Sequence, residues 1–466
     1  MKTDKKLKKD LQIRHITMIS IGGVIGAGLF VGSGAVIHST GPGSILSYAL
    51  AGLLVIFVMR MLGEMAVANP TSGSFATYAR EAIGPWAGYT IGWLYWFFWV
   101  IVIAIEATAG AGIIQYWIPQ VPLWLLSLIL TVLLTLTNVF SVKSFGEFEY
   151  WFSFIKVVSI VLFLCLGLAV IMGLVPGTSA PGFSNLVGQG GFIPHGISSV
   201  LLGITVVIFS FMGSEIVAVA AGESTEPAKA VKTATNSVIW RILVFYIGSI
   251  TVVVTLLPWD SANILKSPFV AVLEHIGIPA AAQIMNFIVL TAVLSCLNSG
   301  LYTNSRMLFS MAGRGDAPKA FLKLSSSGVP VRAVLFGTFF AYIGVIFSYI
   351  SPDKVFLFLV NASGGIALLV YLVIAFSHLR MRKKMDKKNQ EVLKVKMWLF
   401  PYLTYVTIAG ITAVLIAMFV IESLRSQALL TTLVTVFIIV SYFLFNRKGN
   451  ISISYHQKRD EESTNL

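Results

Sequence analysis

The amino-acid sequence predicts an all-α membrane protein with 12 transmembrane helices. Hydrophobic residues make up 56% of the 466 residues and charged residues only 11%, whereas soluble domains carry about 25% charge. The mean hydropathy is +0.85. Apolar stretches of about 20 residues, long enough to cross a hydrocarbon core of about 30 Å, follow one another and are separated by short polar turns.

The predicted spans divide the chain into five parts. The spans are 16–37, 43–67, 87–117, 122–140, 152–174, 197–221, 238–258, 279–308, 332–350, 354–377, 398–421 and 427–446. The five parts are an N-terminal tail (1–15), a transmembrane core (16–377), a basic loop (378–397), a final pair of spans (398–446) and a C-terminal tail (447–466). The C-terminal tail is polar and of mixed charge, so we expect it to be disordered. The first span is expected to be a helix rather than a signal peptide, because it contains five glycines between Gly22 and Gly32 and no evident cleavage site.

The basic residues predict the orientation of the spans. With the Lys-rich N-terminus on the inside, all but three of the 33 Lys and Arg residues fall in cytoplasmic segments; the exceptions are Lys266, Lys354 and Arg425. Both tails and the basic loop are therefore expected to be cytoplasmic. The net charge of +13 is explained by topology and lipid headgroups, and it does not indicate a nucleic-acid partner.

Span 1 is too rich in glycine for an undisturbed helix, because each glycine costs about 1 kcal/mol relative to alanine. One interpretation is close helix packing, since Gly22 and Gly26 have the Gly-x-x-x-Gly spacing. The other is an unwound stretch at mid-membrane, whose amides and half-helix dipole bind a carboxylate. Lipid does not tolerate freed backbone groups unless they line a cavity.

Span 6 carries a similar interruption, with Gly213 next to Glu215 in the sequence Phe209–Glu215. Two interrupted segments at equivalent places in successive five-helix units indicate inverted repeats. The sequence thus predicts that spans 1–5 and 6–10 are repeats with opposite orientation and that spans 11 and 12 are an added pair.

Ionisable residues deep in the spans are candidates for function, because each is costly in lipid. Among acidic residues we assign only Glu106 and Glu215 to such positions. Glu215 either caps the amides of the broken helix or couples substrate or proton occupancy to gating. Glu106 either hydrogen-bonds a neighbouring helix or receives a substrate ammonium or a proton. Lys156, near the start of span 5, either snorkels to the inner surface or is buried against span 1 as a proton switch.

Several other classes of protein are disfavoured by the sequence. It has no phosphate-binding loop of the Gly-x-x-x-x-Gly-Lys-Ser/Thr type, so we expect neither ATP drive from this chain nor an ATP-binding subunit. It has no His-Glu-x-x-His motif and no intramembrane Asp pair, so neither an enzyme nor a metal site is expected. The thiols Cys165 and Cys296 lie within spans and are interpreted as packed side chains. A channel is disfavoured because channels generally use rings of identical elements.

The sequence resembles the amino acid–polyamine–organocation permeases. The matching segments are Gly26–Phe30, Gly41–Gly43, Leu62–Met65, Pro70–Phe75, Ser144–Glu149, Phe209–Glu215, Asn236–Arg241 and Ser295–Ser299. Within that family it is most similar to bacterial 4-aminobutyrate permeases, through Ala87–Trp96 and Phe356–Gly364. The likeness extends over nearly the whole chain.

This resemblance implies a leucine-transporter-like fold and proton-coupled symport of a small zwitterionic amino acid, namely 4-aminobutyrate, across the bacterial cell membrane. Proline, alanine or β-alanine as substrate, or amino acid exchange, are the alternatives. The proton is the coupling ion and no cofactor is implied. The implied binding residues are Ile25, Gly26, Ala27 and Gly28 in span 1 and Phe209, Met212 and Gly213 in span 6. The substrate carboxylate would lie on span 1 amides and its ammonium near carbonyls of Ile25, Phe209 and Met212. Lys156 matches the family's span 5 lysine, with Asn298 and Ser299 of span 8 nearby.

Overall fold

The architecture is all-helical in the part of the chain that the structure describes. A computed structural model describes residues 14–15, 17–18, 25–69, 71, 73–140, 142–178, 180–216, 218, 227–350, 352–384 and 395–446. Both predicted tails therefore lie almost wholly outside the described residues, as does half of the basic loop.

Seventeen α-helices are assigned within these ranges. They are α1 (Ser33–Thr40), α2 (Ser44–Ala68), α3 (Ser74–Ala82), α4 (Pro85–Gln115), α5 (Leu123–Phe140), α6 (Val142–Ile171), α7 (Ser184–Val187), α8 (Gly196–Phe211), α9 (Pro227–Trp240), α10 (Ser249–Leu256), α11 (Ala262–Lys266), α12 (Pro268–His275), α13 (Ala281–Gly313), α14 (Val331–Ile350), α15 (Pro352–Lys384), α16 (Tyr402–Val420) and α17 (Glu422–Ser441). A π-helical segment, Gly28–Gly32, precedes α1, and another, Arg241–Gly248, joins α9 to α10. A third, Tyr442–Asn446, follows α17.

Nine helical segments within the described ranges are long and apolar enough to cross a membrane. The first of them, Gly28–Ala68, includes both the end of predicted span 1 and the whole of predicted span 2. The shorter apolar helices Gly196–Phe211 and Val331–Ile346 correspond to predicted spans 6 and 9. The chain is thus a multi-pass membrane protein, and the count of 12 spans and the inverted repeat remain predictions.

Helix α4 lies at the centre of the molecule. It packs along α13 and also contacts α5, α14 and α15. Its sequence is hydrophobic all round and most of its residues are buried, as expected for a helix enclosed by others. By contrast, α16 and α17 leave many large apolar side chains exposed, including Val406, Ile416, Leu433 and Phe437. Those faces are suited to contact with lipid.

The structure shifts several predicted boundaries. Helix α6 begins at Val142, ten residues before the predicted start of span 5, and α15 continues to Lys384, beyond the predicted end at 377. Lys, Arg and Glu are good helix formers, so a helix can extend past the apolar stretch that hydropathy detects. The short helices α3, α11 and α12 were not predicted, because none is long enough to form a span.

Both ends of the predicted basic loop are anchored to α2, in predicted span 2. The Glu64 carboxylate accepts hydrogen bonds from Arg382 at 2.7 Å and from the Met397 amide at 2.6 Å. Nearby, Arg60 donates to the carbonyl of Lys396 at 2.8 Å. These contacts tie α2 to the segments on both sides of residues 385–394.

Candidate functional site

A helical segment of predicted span 1 begins at Ala27. Ile25 and Gly26 are not helical, and the chain then continues through the π-helical segment into α1. The Ala27 amide donates hydrogen bonds to both oxygens of Glu106, at 3.2 and 3.1 Å. Glu106 is buried on α4. Free amides and the helix dipole both favour an anion at a helix N-terminus, so the Glu106 carboxylate occupies a ready-made anion site.

The glycines of this break permit close approach to three helices. A Cβ atom at Gly26 would lie 2.5 Å from Glu106 Oε1 and 2.8 Å from Cys296 Cβ, on α4 and α13. At Gly28 it would lie 2.8 Å from Ser210 Cα, on α8. At Gly32 the nearest atoms would be 3.7 Å away, an ordinary contact. Gly26 and Gly28 are thus required for packing against the site, while Gly22, the partner in the Gly-x-x-x-Gly interpretation, lies outside the described residues.

The helix of span 6 ends at Phe211, and its break carries its own carboxylate. Met212 is extended, and Gly213 has φ +102°, a conformation that favours glycine. Glu215 Oε1 accepts hydrogen bonds from the Gly213 amide at 2.9 Å and from the Tyr95 hydroxyl at 3.0 Å. Glu215 Oε2 accepts from the Tyr371 hydroxyl at 3.3 Å. The geometry agrees with the capping interpretation of Glu215.

Lys156 is fully buried at the span 1 break. Its Nζ donates hydrogen bonds to the Ile25 carbonyl at 3.2 Å and to Ser295 Oγ at 2.8 Å. Because α6 starts at Val142, Lys156 lies about four turns into the helix rather than near its start. The snorkelling interpretation is therefore wrong, and the ammonium lies against span 1.

The span 8 residues expected beside Lys156 have other surroundings. The hydroxyl that contacts Lys156 belongs to Ser295, about one turn before Asn298 and Ser299 on α13. The Asn298 side-chain carbonyl accepts a hydrogen bond from Asn138 of α5 at 2.7 Å. The Ser299 hydroxyl is buried and has no hydrogen-bond partner within the described part of the chain.

A small cavity lies between the two breaks. Its lining residues are Gly28, Phe98, Trp99, Val102, Glu106, Phe209, Ser210, Met212 and Cys296. Gly28, Glu106, Phe209 and Met212 were predicted from the sequence. The other predicted binding residues, Ile25, Gly26, Ala27 and Gly213, form the breaks themselves.

Sequence reasoning missed part of the cavity wall and two buried glutamates, which are Glu64 on α2, within predicted span 2, and Glu149 on α6. Trp99 and Val102 are seven and four residues before Glu106 and share its face of α4, so helical spacing from Glu106 would have identified them. Cys296, interpreted as a packed thiol, is buried and also lines the cavity. The assignment of only Glu106 and Glu215 to buried positions in the spans is wrong. Glu149 is fully buried on α6, and the predicted start of span 5 at 152 had left it outside.

Comparisons with known proteins agree with this architecture. Residues 15–453 match the amino acid permease family. The chain is 71% identical over 442 residues to the gamma-aminobutyric acid permease of Bacillus subtilis (strain 168), covering 95% of this chain and 94% of that protein. It is 50% identical over 430 residues to the gamma-aminobutyric acid permease of Escherichia coli (strain K12), covering 92% of each chain.

A solved structure shares the fold. The crystal structure of a manganese transporter from Eremococcus coleocola superposes with a TM-score of 0.58 at 14% sequence identity, covering 92% of each chain. At this identity the likeness concerns the fold alone. The family match and the two close relatives, together with the buried site between two broken helices, identify the function: the chain belongs to the amino acid permease family and is an amino acid transporter, not an enzyme.

Proposed function

We propose that this permease imports 4-aminobutyrate together with protons across the bacterial cell membrane by alternating access. The substrate assignment is supported by the 71% and 50% identity to two gamma-aminobutyric acid permeases. The observation that carries the binding mode is the contact between the Ala27 amide and the Glu106 carboxylate in the cavity wall.

The Glu106 carboxylate marks the position that the substrate carboxylate would take. Its two oxygens hold the amide at the start of a half-helix. When the substrate carboxylate displaces Glu106 from the Ala27 amide, the buried Glu106 carboxylate requires a positively charged partner. The ammonium of the same substrate is that partner. This exchange favours zwitterions over simple carboxylates, because an unpaired buried charge is costly.

The walls of the cavity favour a substrate with an apolar middle. Phe98, Trp99 and Val102 of α4 supply the apolar wall, opposite Phe209 and Met212 of span 6. Such walls suit the methylene chain of 4-aminobutyrate, while the Ala27 amide would bind its carboxylate and Glu106 its ammonium.

Lys156 supports protons as the coupling ion. Its ammonium is fixed on the Ile25 carbonyl, a backbone group freed by the helix break. Two unit charges 4 Å apart repel by about 4 kcal/mol at an effective dielectric constant of 20, so a sodium ion at this position is disfavoured. A lysine that is charged when substrate binds and neutral on the return would couple uptake to protons. The proton is then the only coupling ion required, and the lipid bilayer and the amino acid are the expected partners.

The basic residues support an orientation with both tails and the basic loop in the cytoplasm. In that orientation α6 begins on the cytoplasmic side, with Lys156 above it toward the membrane centre.

Competition uptake in proteoliposomes tests the substrate assignment. Radiolabelled 4-aminobutyrate is offered with excess 4-aminobutyrate, β-alanine, proline, alanine or lysine. We expect 4-aminobutyrate to compete best and β-alanine, which is one methylene shorter, to follow. Butyrate and butylamine, each lacking one charged end, serve as matched controls and should compete weakly. Equal competition by proline or alanine would instead indicate a permease for α-amino acids.

A further inference from the structure

A second buried carboxylate lies close to Lys156, on the same helix. Glu149 is seven residues before Lys156 and is fully buried, so the two share a face of α6. Glu149 Oε1 accepts hydrogen bonds from Ser295 Oγ and, at 3.3 Å, from Ser153 Oγ. Its other oxygen, Oε2, is buried and has no hydrogen-bond partner within the described residues. A buried carboxylate oxygen without a donor makes the charged form of Glu149 costly, so this carboxylate is suited to accept a proton.

Ser295 connects the carboxylate to the ammonium. Its Oγ accepts a hydrogen bond from Lys156 Nζ at 2.8 Å and donates one to Glu149 Oε1. Lys156, Ser295 and Glu149 therefore form an unbroken hydrogen-bonded chain between α6 and α13. A hydroxyl that accepts from an acid and donates to a base can take one proton and release its own.

The charges of this chain balance in either protonation state. An ammonium with a carboxylate has no net charge, and a neutral amine with a carboxylic acid has none either. An isolated buried ion costs several kcal/mol even after the protein relaxes, so a transfer that keeps the net charge at zero avoids the largest barrier. The titratable groups that face Lys156 are Glu149 on its own helix, Cys296 on α13 and Glu106 on α4. Of these, Glu149 is joined to Lys156 by a continuous path through Ser295.

We propose that Glu149 is the proton acceptor for Lys156, through Ser295, on the cytoplasmic side of the substrate cavity. In the transfer an N–H bond of Lys156 breaks as an O–H bond forms on Ser295. The original O–H bond of Ser295 breaks as one forms on Glu149. Lys156 becomes a neutral amine and Glu149 a carboxylic acid, which then releases the proton toward the cytoplasm. The proposal rests on the proposed proton coupling and adds the group that takes the proton from the lysine.

Glu149→Gln tests the proposal, with Glu147→Gln as a matched control. Glu147 is two residues away on α6, is partly exposed, and pairs with Arg14 at 2.5 Å and His15 at 3.1 Å instead. In proteoliposomes with an inward proton gradient, we expect Glu149→Gln to lower the rate of net uptake by about 100-fold, the lower end of what a positioned acid or base contributes to a rate. Exchange of labelled for unlabelled 4-aminobutyrate at equal pH should persist, since exchange does not require Lys156 to lose its proton. Glu147→Gln should accumulate substrate like the wild type.

The Ser295 variants separate the relay from a merely structural role. Ser295→Ala removes the connecting hydroxyl and should flatten the dependence of net uptake on external pH, whereas Ser295→Thr keeps the hydroxyl and should retain that dependence. If Glu149→Gln does not fold, the pH dependence of net uptake in Ser295→Ala and Ser295→Thr still tests the proposal. A wild-type dependence of net uptake on external pH in Glu149→Gln or Ser295→Ala would overturn the proposal. The proposal would also be overturned if Glu106→Gln were the only variant to lose that dependence. Uptake in the wild type that ignores the proton gradient would instead refute the proposed coupling itself.

Discussion

The two helix breaks differ in the origin of the carboxylate that caps them. At the span 1 break, the Ala27 amide is held by Glu106, 79 residues away on α4. At the span 6 break, the Gly213 amide is held by Glu215, two residues further along the same segment, and Tyr95 and Tyr371 fix that carboxylate. A cap from another helix can be exchanged when helices move or a ligand enters. A local cap moves together with its own segment. The comparison therefore indicates that the span 1 break exchanges its carboxylate for a ligand, whereas the cap at the span 6 break stabilises the backbone conformation of that segment.

The largest effect is expected from filling the space at the span 1 break. Gly26→Leu and Gly28→Leu should abolish substrate binding and leave folded protein in the membrane, because their side chains would meet Glu106 and the backbone of Ser210. Gly32→Ala, in the same half-helix, is the control and should bind normally, since its Cβ has room at 3.7 Å. Substrate-induced thermal shifts of the purified variants measure this. Wild-type affinity in Gly26→Leu or Gly28→Leu would mean that the glycines serve packing alone.

A moderate effect should separate the two caps. Glu106→Gln should lower the ratio of affinities for 4-aminobutyrate and butyrate by about tenfold or more, because a hydrogen bond to a charged group is worth about 1.5–3 kcal/mol. Glu215→Gln should leave that ratio unchanged and lower the melting temperature of the ligand-free protein. Binding titrations of both ligands with each variant provide the comparison. An equal fall in the ratio in both variants would show that the caps are equivalent.

The smallest effects are expected on α13, at two neighbouring polar residues. Asn298→Ala leaves the Asn138 amide group without its 2.7 Å acceptor, so we expect a loss of stability of about 1–3 kcal/mol. Ser299→Ala removes a hydroxyl that has no partner in the described structure and should change stability by less than about 0.5 kcal/mol. Thermal unfolding in one detergent gives both values. A larger loss for Ser299→Ala would reveal a partner that this conformation lacks.

The sequence predicts the breaks well because their signals are local. The high density of glycines indicates the break at Gly26, and the spacing of Gly213 two residues before Glu215 indicates the break in span 6. The places where these helices are interrupted can therefore be predicted without a structure. The apolar lengths of α2, α4 and α5 are likewise local properties, and their predicted ends lie within two residues of the observed ones.

The connections between helices were harder to predict. That Glu106 reaches Ala27, and that Ser295 rather than Asn298 or Ser299 contacts Lys156, depends on the rotation of α4 and α13 about their axes. Hydropathy carries little information about that rotation, because the apolar residues of α4 and α13 are not confined to one face of either helix. Glu149 was missed for a different reason: the polar residues before Trp151 hide the helical continuation that buries it.

The central claim is that Lys156, at the span 1 break, couples uptake to protons. Uptake into proteoliposomes by the wild type and by Lys156→Ala tests this claim most directly. The wild type should accumulate 4-aminobutyrate faster as external pH falls, lose accumulation with a protonophore and ignore sodium. Lys156→Ala should lose net accumulation even where exchange survives, since no group then alternates between charged and neutral on the Ile25 carbonyl. Sodium-dependent uptake that is insensitive to pH, or a Lys156→Ala protein that still concentrates substrate against its gradient, would contradict the account and leave Glu106 or Glu215 as the proton carrier.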